Sequence, residues 1–287
     1  MRGGFVLAVG IPVVLSVWLL GTSPGQEVLD LWIEGVNALA HEELDQAVPE
    51  PRLQPSAADA APPPDALRVV FVGNSHTMFN DMTAMIAALA QAAGKRPLYA
   101  RLIVRGGSTL REHAAEGVVS RVLSEGGWNA LVLQEQQQNP SLGRERRERE
   151  MTAPARIMSM NAYASGARTI VQMVWARRDG DFTNLPGDTY AAMHERTVIG
   201  HKELAQALGA ELAPSAIAWK RAMTARPELT LWQPDGSHPS LAGSYLAACV
   251  LYKTLYGESP LGLRFTAGLP ERDAAFLQEI AATTHVD

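Results

Sequence analysis

The sequence predicts a three-layer α/β/α domain with a central parallel sheet, which occupies residues 67–287. Short apolar runs with many β-branched residues alternate with longer helical runs along this part of the chain. Repeated alternation of this kind is typical of a parallel sheet whose two faces are covered by helices. A chain of 287 residues, 47% of them hydrophobic, is long enough to bury the core of such a domain.

The first strand is predicted at residues 67–72 and ends at Gly73. A helix follows at residues 82–93, capped by Asn80 or Asp81. The later elements alternate in the same way, with strands predicted at residues 99–104, 128–133, 169–174 and 211–214 and helices at residues 110–123, 142–164, 190–208 and 239–256. In sheets of this type the ligand site lies at the carboxyl ends of the strands.

Residues 1–66 differ in composition and predict three segments ahead of the domain. An apolar run at residues 5–20 makes residues 1–25 a signal peptide or a retained membrane anchor. Residues 26–48 carry an apolar stripe typical of an amphipathic helix, and residues 49–66 have the proline- and alanine-rich composition of an extended linker. We therefore expect an exported protein, periplasmic or extracellular, that is either released by cleavage or anchored to the inner membrane.

Composition excludes several classes of function. The net charge is -5 and the basic residues are scattered, so no face is predicted to bind nucleic acid. Cys249 is the only cysteine and lies in an apolar stretch, where we expect it to be buried. His194 and His201 lack carboxylates or cysteines at ligand spacing, so no metal site is expected. No glycine-rich phosphate-binding motif is present, which argues against a nucleotide cofactor.

The segment Val-Phe-Val-Gly-Asn-Ser-His-Thr at residues 70–77 places Ser75 directly after the first predicted strand. At this position a hydroxyl is exposed to ligand, and the backbone N–H of Ser75 lies at the positive end of the following helix. That geometry suits a nucleophile whose product is an oxyanion. Because Thr77 replaces the second glycine, the motif is not the G-x-S-x-G turn of α/β-hydrolases. By itself the motif also fits an ordinary β–α turn.

A second segment, Pro-Asp-Gly-Ser-His-Pro at residues 234–239, precedes the last predicted helix. Pro239 fits the first helical position, which places His238 at the helix entry and Asp235 three residues upstream. A carboxylate at this position can fix the tautomer of the imidazole and stabilise the imidazolium formed during catalysis. By itself this motif also fits a helix cap beside a surface histidine.

Together the two segments resemble the SGNH (GDSL-type) hydrolases, in particular a poorly characterised bacterial branch, over roughly residues 67–262. The resemblance implies a flavodoxin-like α/β/α fold. It also implies that Ser75 is the nucleophile, His238 the general base and Asp235 the acid that orients it.

Two further segments bear on the oxyanion hole that this resemblance implies. The segment at residues 105–109, Arg-Gly-Gly-Ser-Thr, is similar to the glycine-bearing second block, so the N–H groups of Gly107 and Ser75 are the expected donors. The third block departs from the family, because Leu-Gln-Glu-Gln-Gln stands where an asparagine is expected. Gln136 corresponds to that asparagine in a direct overlay and Gln134 is the alternative, since either amide can donate the same hydrogen bond.

Three other residues, His76, His113 and Trp175, are candidates to line the substrate cleft, although each also fits a structural role. Glu135 is expected to orient a neighbouring amide. The predicted function is hydrolysis of small acyl esters, with acetyl as the expected group, on a small molecule or a glycan and without a cofactor. An O-acyltransferase with the same triad and a non-catalytic carbohydrate-binding protein are the alternatives.

Overall fold

The structure of this protein is a computed structural model that describes residues 62–286, all within one compact unit. The predicted leader or anchor at residues 1–25, the amphipathic helix at residues 26–48 and most of the linker at residues 49–66 lie outside the described residues. Within the described part of the chain, no helix is both long enough and apolar enough to cross a membrane.

Five parallel strands form the central sheet, in the spatial order β2-β1-β3-β4-β5. The strands are β1 (Leu67–Gly73), β2 (Leu98–Val104), β3 (Ala130–Leu133), β4 (Arg168–Gln172) and β5 (Glu211–Ala213). The strand order reverses at β1, which pairs with β2 on one side and β3 on the other. In open α/β sheets this switch point is where ligands bind, beyond the carboxyl ends of the strands.

Helices cover both faces of this sheet. They are α1 (Ser75–Met78), α2 (Met82–Ala92), α3 (Leu110–Glu116), α4 (Val118–Ser124), α5 (Arg144–Arg147), α6 (Ala153–Ala164), α7 (Tyr190–Leu208), α8 (Ser215–Ala225), α9 (Leu241–Tyr256) and α10 (Glu271–Thr283). Short turns of 3-10 helix occur at Phe79–Asp81 and Asn139–Ser141, and a π-helical turn occurs at Glu148–Thr152.

Alternate residues of β1 face two separate cores. Val69 and Phe71 pack into a core built mainly by α2, α8, α9 and α10. Val70 and Val72 pack into a core built mainly by α3, α4 and α6. Because side chains alternate across a strand, a strand covered on both faces is apolar on both, and in β1 only Arg68, near its start, departs from this. The predicted three-layer α/β/α fold is therefore confirmed.

Several element boundaries differ from the prediction. The helix expected at residues 110–123 is interrupted at Gly117, whose φ of 67° ends α3 and begins α4. Asp81, one of the two predicted caps, accepts a hydrogen bond from the N–H of Ala84 at the start of α2 (3.3 Å). The prediction that Pro239 begins the last helix is wrong. Ser240 caps α9 instead, and the helix begins at Leu241.

Candidate active site

The turn between β1 and α1 holds Ser75 at the carboxyl edge of the sheet. A Cβ atom on Gly73 would lie 2.5 Å from the side-chain oxygen of Gln134, so only glycine fits beneath this amide. The next residue, Asn74, caps α1 by accepting a hydrogen bond from the N–H of His76 (3.1 Å). Its own N–H donates to Gln134 (3.0 Å). These contacts leave Ser75 half-buried as the first residue of α1.

Residues 232–238, here called the acid–base segment, form a tight loop ahead of α9. Trp232, its first residue, forms an antiparallel bridge with Pro239, the residue that follows the segment. The N–H of Gln233 donates to the carbonyl of His238 (2.8 Å). A left-handed residue, Gly236 (φ 70°), lies at the tip. This loop brings both members of the predicted acid–base pair to one side of the segment, facing the turn that carries the serine.

The three residues predicted as a triad form one continuous hydrogen-bonded chain. Ser75 Oγ lies 2.9 Å from His238 Nε2, and His238 Nδ1 lies 2.6 Å from Asp235 Oδ2. The other carboxylate oxygen of Asp235 accepts the N–H groups of Ser237 (2.9 Å) and His238 (3.0 Å). The structure therefore assembles this chain from residues 163 positions apart.

The carboxyl group of Asp235 is ionised over the whole physiological range. Burial alone would raise its pKa, but the hydrogen bond from the His238 ring and those from two backbone N–H groups outweigh this and lower the pKa to about 2. An ionised acceptor on Nδ1 leaves Nε2 of His238 as the basic atom facing Ser75. The side chains of His238 and Asp235 are 13% and 21% exposed, so the pair is accessible at one edge.

Two rings stack on the imidazole of His238. Phe79 lies with its ring centroid 4.4 Å away and His76 with its centroid 5.1 Å away, each inclined by 21°. The ring of His76 in turn contacts Trp175, with 5.6 Å between ring centroids, and Trp175 stacks on Trp219, with 4.0 Å between centroids. The orientation of the basic ring is thus fixed by aromatic contacts as well as by hydrogen bonds.

His76 is neutral and has a defined tautomer. Burial, together with the nearby His238 and Arg177, lowers its pKa to about 3. Its Nδ1 lies 3.1 Å from the side-chain oxygen of Asn74, which already accepts a backbone N–H, so the ring proton is on Nδ1. Its Nε2 is buried and has no hydrogen-bond partner among the described residues.

The three predicted cleft residues are all buried. His76 is 6% exposed, His113 is 2% exposed and Trp175 is fully buried. His113 donates from Nε2 to the carbonyl of Gly73 (2.8 Å), and Trp175 donates to the carbonyl of Ser237 (3.1 Å). The structure therefore places His113 and Trp175 behind the nucleophile turn and the acid–base segment, where they support these loops.

Two backbone N–H groups are available near the serine. Among residues 62–286, neither the N–H of Ser75 nor that of Gly107 donates a hydrogen bond. Gly107 has a φ of 68° and lies exposed in a turn closed by Ser108 N–H and the carbonyl of Arg105 (3.2 Å). The side chain of Asn74 donates to the carbonyl of Ser108 (3.0 Å), which connects this turn to the nucleophile turn.

Two glutamines after β3 are buried and connect the loops of the site. The side-chain oxygen of Gln134 accepts hydrogen bonds from the nucleophile turn, including one from Thr77 Oγ1 (2.9 Å). Gln137 donates to the carbonyl of Trp175 (3.0 Å) and accepts from Ser237 Oγ (2.7 Å). These side chains hold the serine and the acid–base segment at fixed positions relative to the end of β3.

The other two glutamines of the loop, Gln136 and Gln138, are hydrogen-bonded to each other and differ in burial. Gln138 is buried and donates to the carboxylate of Asp181 (2.6 Å). Gln136 is half-buried; its side chain accepts the N–H of Gln138 (2.7 Å) and donates to the side-chain oxygen of Gln138 (3.0 Å). Of the two glutamines predicted for the oxyanion hole, Gln136 is thus the one that is partly exposed.

Glu135 is fully enclosed beside this loop. Burial raises its pKa to about 8, so the carboxyl group is largely protonated at neutral pH. One oxygen accepts the backbone N–H groups of Leu110 (3.3 Å) and Gln136 (2.6 Å), while the other has no partner among the described residues. It therefore orients the backbone of Gln136, in keeping with the role expected for it.

Some residues of the site were not singled out from the sequence. Asn74 precedes a helix, a position that favours a capping side chain, so its role had a recognisable signal. Phe79 and Arg177 had none, because their contacts with the acid–base segment arise only from tertiary folding. Among the described residues, no cluster of histidine, cysteine and carboxylate side chains is arranged to hold a metal ion.

The described domain has the fold of the SGNH-type hydrolases, as the resemblance implied. A DUF4886 family protein from Bacteroides uniformis superposes with a TM-score of 0.63 at 17% identity, over 76% of this chain and 94% of its own. An acetylxylan esterase from Geobacillus stearothermophilus superposes with a TM-score of 0.50 at 15% identity, over 69% of this chain and 97% of its own. At these identities the likeness concerns the fold. No protein-family profile and no curated protein matches the sequence at a significant level.

Proposed function

We propose that this protein is a serine esterase in which Ser75, His238 and Asp235 form the catalytic triad. The observation that carries the proposal is the continuous hydrogen-bonded chain from Ser75 Oγ to the ionised Asp235, with the serine at the carboxyl edge of the sheet. A serine that merely closes a β–α turn has no need of a histidine whose second nitrogen is held by a carboxylate.

The geometry supports a two-step reaction. His238 Nε2 takes the proton from Ser75 Oγ as Oγ attacks the carbonyl carbon of the ester. The π electrons of the carbonyl group move onto the carbonyl oxygen, which becomes the oxyanion. When the tetrahedral intermediate collapses, the ester C–O bond breaks and the alcohol leaves with the proton from His238. Water then attacks the acyl-enzyme while His238 takes a proton from it. The bond between the acyl carbon and Ser75 Oγ breaks, and His238 returns the proton to Oγ, which releases the acid and the free serine.

The negative charge that develops on the carbonyl oxygen needs hydrogen-bond donors. The free N–H groups of Ser75 and Gly107 supply two, and their positions are linked through the bond from Asn74 to the carbonyl of Ser108. We assign the third donor to Gln136 rather than Gln134. Gln134 is 1% exposed and its side-chain oxygen accepts hydrogen bonds from the nucleophile turn, whereas Gln136, in the middle of the loop, is half-buried.

The substrate proposed is a small acyl ester, an acetyl ester in particular, on a small molecule or a glycan. A solved structure with this fold is an acetylxylan esterase, which supports the choice of an acylated carbohydrate. Export to the periplasm or the cell exterior is part of the same proposal, because residues 5–20 form an apolar run of the kind that directs secretion.

The full-length protein and its Ser75→Ala variant, incubated with 4-nitrophenyl acetate and with a fluorophosphonate probe, test this function. Hydrolysis and covalent labelling by the wild type, both lost in Ser75→Ala, are the expected result. Ser259→Ala, which changes an exposed serine in a distant loop, is the matched control and should retain both. If the wild type is folded but is not labelled by the probe and does not hydrolyse the ester, a non-catalytic carbohydrate-binding protein is favoured instead.

A further inference from the structure

Arg177 lies in the chain segment that follows β4 and runs along the acid–base segment. On one side of it, the carbonyl of Ala176 accepts a hydrogen bond from Trp232 Nε1 (3.2 Å). On the other side, the N–H of Arg178 donates to the carbonyl of Gly236 (2.8 Å). Since both chain neighbours are bonded to the segment that carries the catalytic acid and base, the backbone of Arg177 is fixed beside the triad.

In the described part of the chain, the guanidinium of Arg177 has no hydrogen-bond or ion-pair partner. The side chain is half-buried, its Nε is fully buried without a hydrogen bond, and within residues 62–286 it forms no ion pair. Other arginines nearby are paired: Arg178 with Asp179 (2.8 Å) and Arg196 with Asp188 (2.6 Å). Arg177 therefore differs from these neighbours in that no carboxylate among the described residues forms an ion pair with it.

Two carboxylates lie within electrostatic range of Arg177, but both are already bonded elsewhere. Asp181 accepts hydrogen bonds from the side chains of Gln138 (2.6 Å) and Asn184 (2.8 Å). Asp235 accepts the His238 ring at 2.6 Å. Burial lowers the pKa of Arg177 despite the opposing influence of these two carboxylates. Its desolvation is thus only partly offset by the protein.

The enclosed Nε of Arg177 is out of reach of a ligand, but the two terminal NH2 groups are not enclosed and have no acceptor among the described residues. An anionic ligand that accepts hydrogen bonds from them would offset part of the free energy lost on burying the guanidinium. The planar fork of arginine matches a carboxylate, with which it forms two parallel charge-assisted hydrogen bonds. Arg177 is within electrostatic range of both His76 and Asp235. A ligand anion bound to Arg177 would therefore lie in the same region as these two residues. An ester bound at Ser75 would therefore have its anionic group close to the reacting carbonyl.

We propose that Arg177 determines the specificity of this site by binding a carboxylate on the substrate, so that the preferred substrate is an anionic ester. This inference rests on the esterase function proposed above. The carboxylate can belong to the alcohol, as in an O-acetylated uronic-acid glycan, or to the acyl group, as in a hemiester of a dicarboxylic acid. Either source presents the same group to the guanidinium.

Two matched pairs of substrates distinguish these sources. Acetate release from O-acetylated oligogalacturonate and from neutral O-acetylated xylooligosaccharide tests a carboxylate on the alcohol. Hydrolysis of mono-4-nitrophenyl glutarate and of 4-nitrophenyl pentanoate, each corrected for its spontaneous rate, tests a carboxylate on the acyl group. Each pair is measured with the full-length wild type, Arg177→Gln and Arg177→Lys, with Arg178→Gln as the control for general electrostatic attraction.

Arg177→Gln is expected to lower kcat/KM for the anionic member of one pair by about tenfold or more, mainly through KM, and to change the neutral member by less than about twofold. Arg177→Lys should restore part of the loss, since charge is kept while the fork is lost. Arg178→Gln should leave the ratio between the two members unchanged. An equal loss on both members, or no loss on either anionic ester, overturns the proposal.

A binding measurement keeps this test independent of turnover. In the Ser75→Ala background, calorimetry should show that oligogalacturonate or glutarate binds, and that adding Arg177→Gln weakens the binding about tenfold or more. If neither anion binds, or if binding is unaffected by Arg177→Gln, Arg177 has no such role. Absence of Ser75-dependent hydrolysis with intact Arg177-dependent binding would instead overturn the esterase function alone.

Discussion

The ring of Phe79 stacks on the imidazole of His238 with 4.4 Å between the ring centroids and 21° between their planes. In this position the π face of the phenyl ring is directed at the group that becomes positively charged when it accepts the serine proton. An aromatic face attracts a cation, so this contact stabilises the imidazolium more than the neutral imidazole.

Replacing Phe79 with leucine keeps an apolar side chain and removes the aromatic face. We expect kcat for 4-nitrophenyl acetate to fall by about threefold to tenfold with little change in KM, because a cation–π contact contributes roughly 0.5–2 kcal/mol. Phe276→Leu, which removes a ring that contacts Arg226 at 5.0 Å, is the control and should not alter kcat. If the variant changed KM alone and left kcat unchanged, Phe79 would instead be assigned to contact with the substrate.

The two glutamines considered for the oxyanion hole, Gln134 and Gln136, should respond differently to replacement by alanine. Gln136→Ala is expected to lower kcat on the order of 10²-fold with KM and stability nearly unchanged, the result of losing a donor used only in the transition state. Gln134→Ala removes the acceptor of two buried hydrogen bonds and should lower the free energy of unfolding by about 1–3 kcal/mol. Steady-state kinetics and urea unfolding of both variants measure the two effects. The opposite pattern would assign the oxyanion donor to Gln134.

Asp235 should make stability depend on pH in the acid range. Its pKa in the folded protein is about 2, below the ordinary value of 3.8, so its stabilising contribution is complete above about pH 4 and is lost as the pH falls towards 2. Between these values the unfolding midpoint of the wild type should fall more steeply than that of Asp235→Asn. At neutral pH the same variant should lower kcat by about 10³-fold or more, since it reverses the preferred tautomer of His238.

Glu135 should produce the opposite dependence at higher pH. Its folded-state pKa of about 8 is above the ordinary value of 4.5, so its favourable contribution is complete below pH 4.5 and is lost as the pH rises through 8. Thermal unfolding between pH 5 and pH 9 should therefore show wild-type stability declining relative to Glu135→Gln. Glu125→Gln, a change at an exposed carboxylate, is the control and should run parallel to the wild type. Parallel curves for Glu135→Gln would contradict the assignment.

The sequence predicted the sheet, most of its helices and the residues that form the triad chain, because each carries a local signal. Residues 69–72 of the first strand are apolar on both faces, and the serine and the acid–base segment lie next to turn residues. The helices at Ser215–Ala225 and Glu271–Thr283 were not predicted. The first buries mainly alanines around Trp219, and the second buries Leu277 and Ile280 among alanines and Gln278, so few large apolar residues mark either helix in the sequence.

Site residues without a local signal were harder to predict. The left-handed conformations of Asn80 (φ 56°) and Asp81 (φ 51°) redirect the chain after α1, in the turn that contains Phe79. Nothing in the local sequence specifies that the ring then meets a histidine from the far end of the domain. Partly buried groups such as Arg177 are recognisable only once the partners around them are known to be occupied.

The loop at residues 134–138 has a consequence for how the length of this chain can change. Three glutamines there, Gln134, Gln137 and Gln138, bond separately to the nucleophile turn, the acid–base segment and Asp181. Inserting or deleting one residue would shift all of these anchors at once, while the sheet beneath could remain intact. Transfer of this site to another scaffold would therefore require the five residues as an indivisible block, whereas the loop at residues 226–230, outside these contacts, could tolerate changes in length.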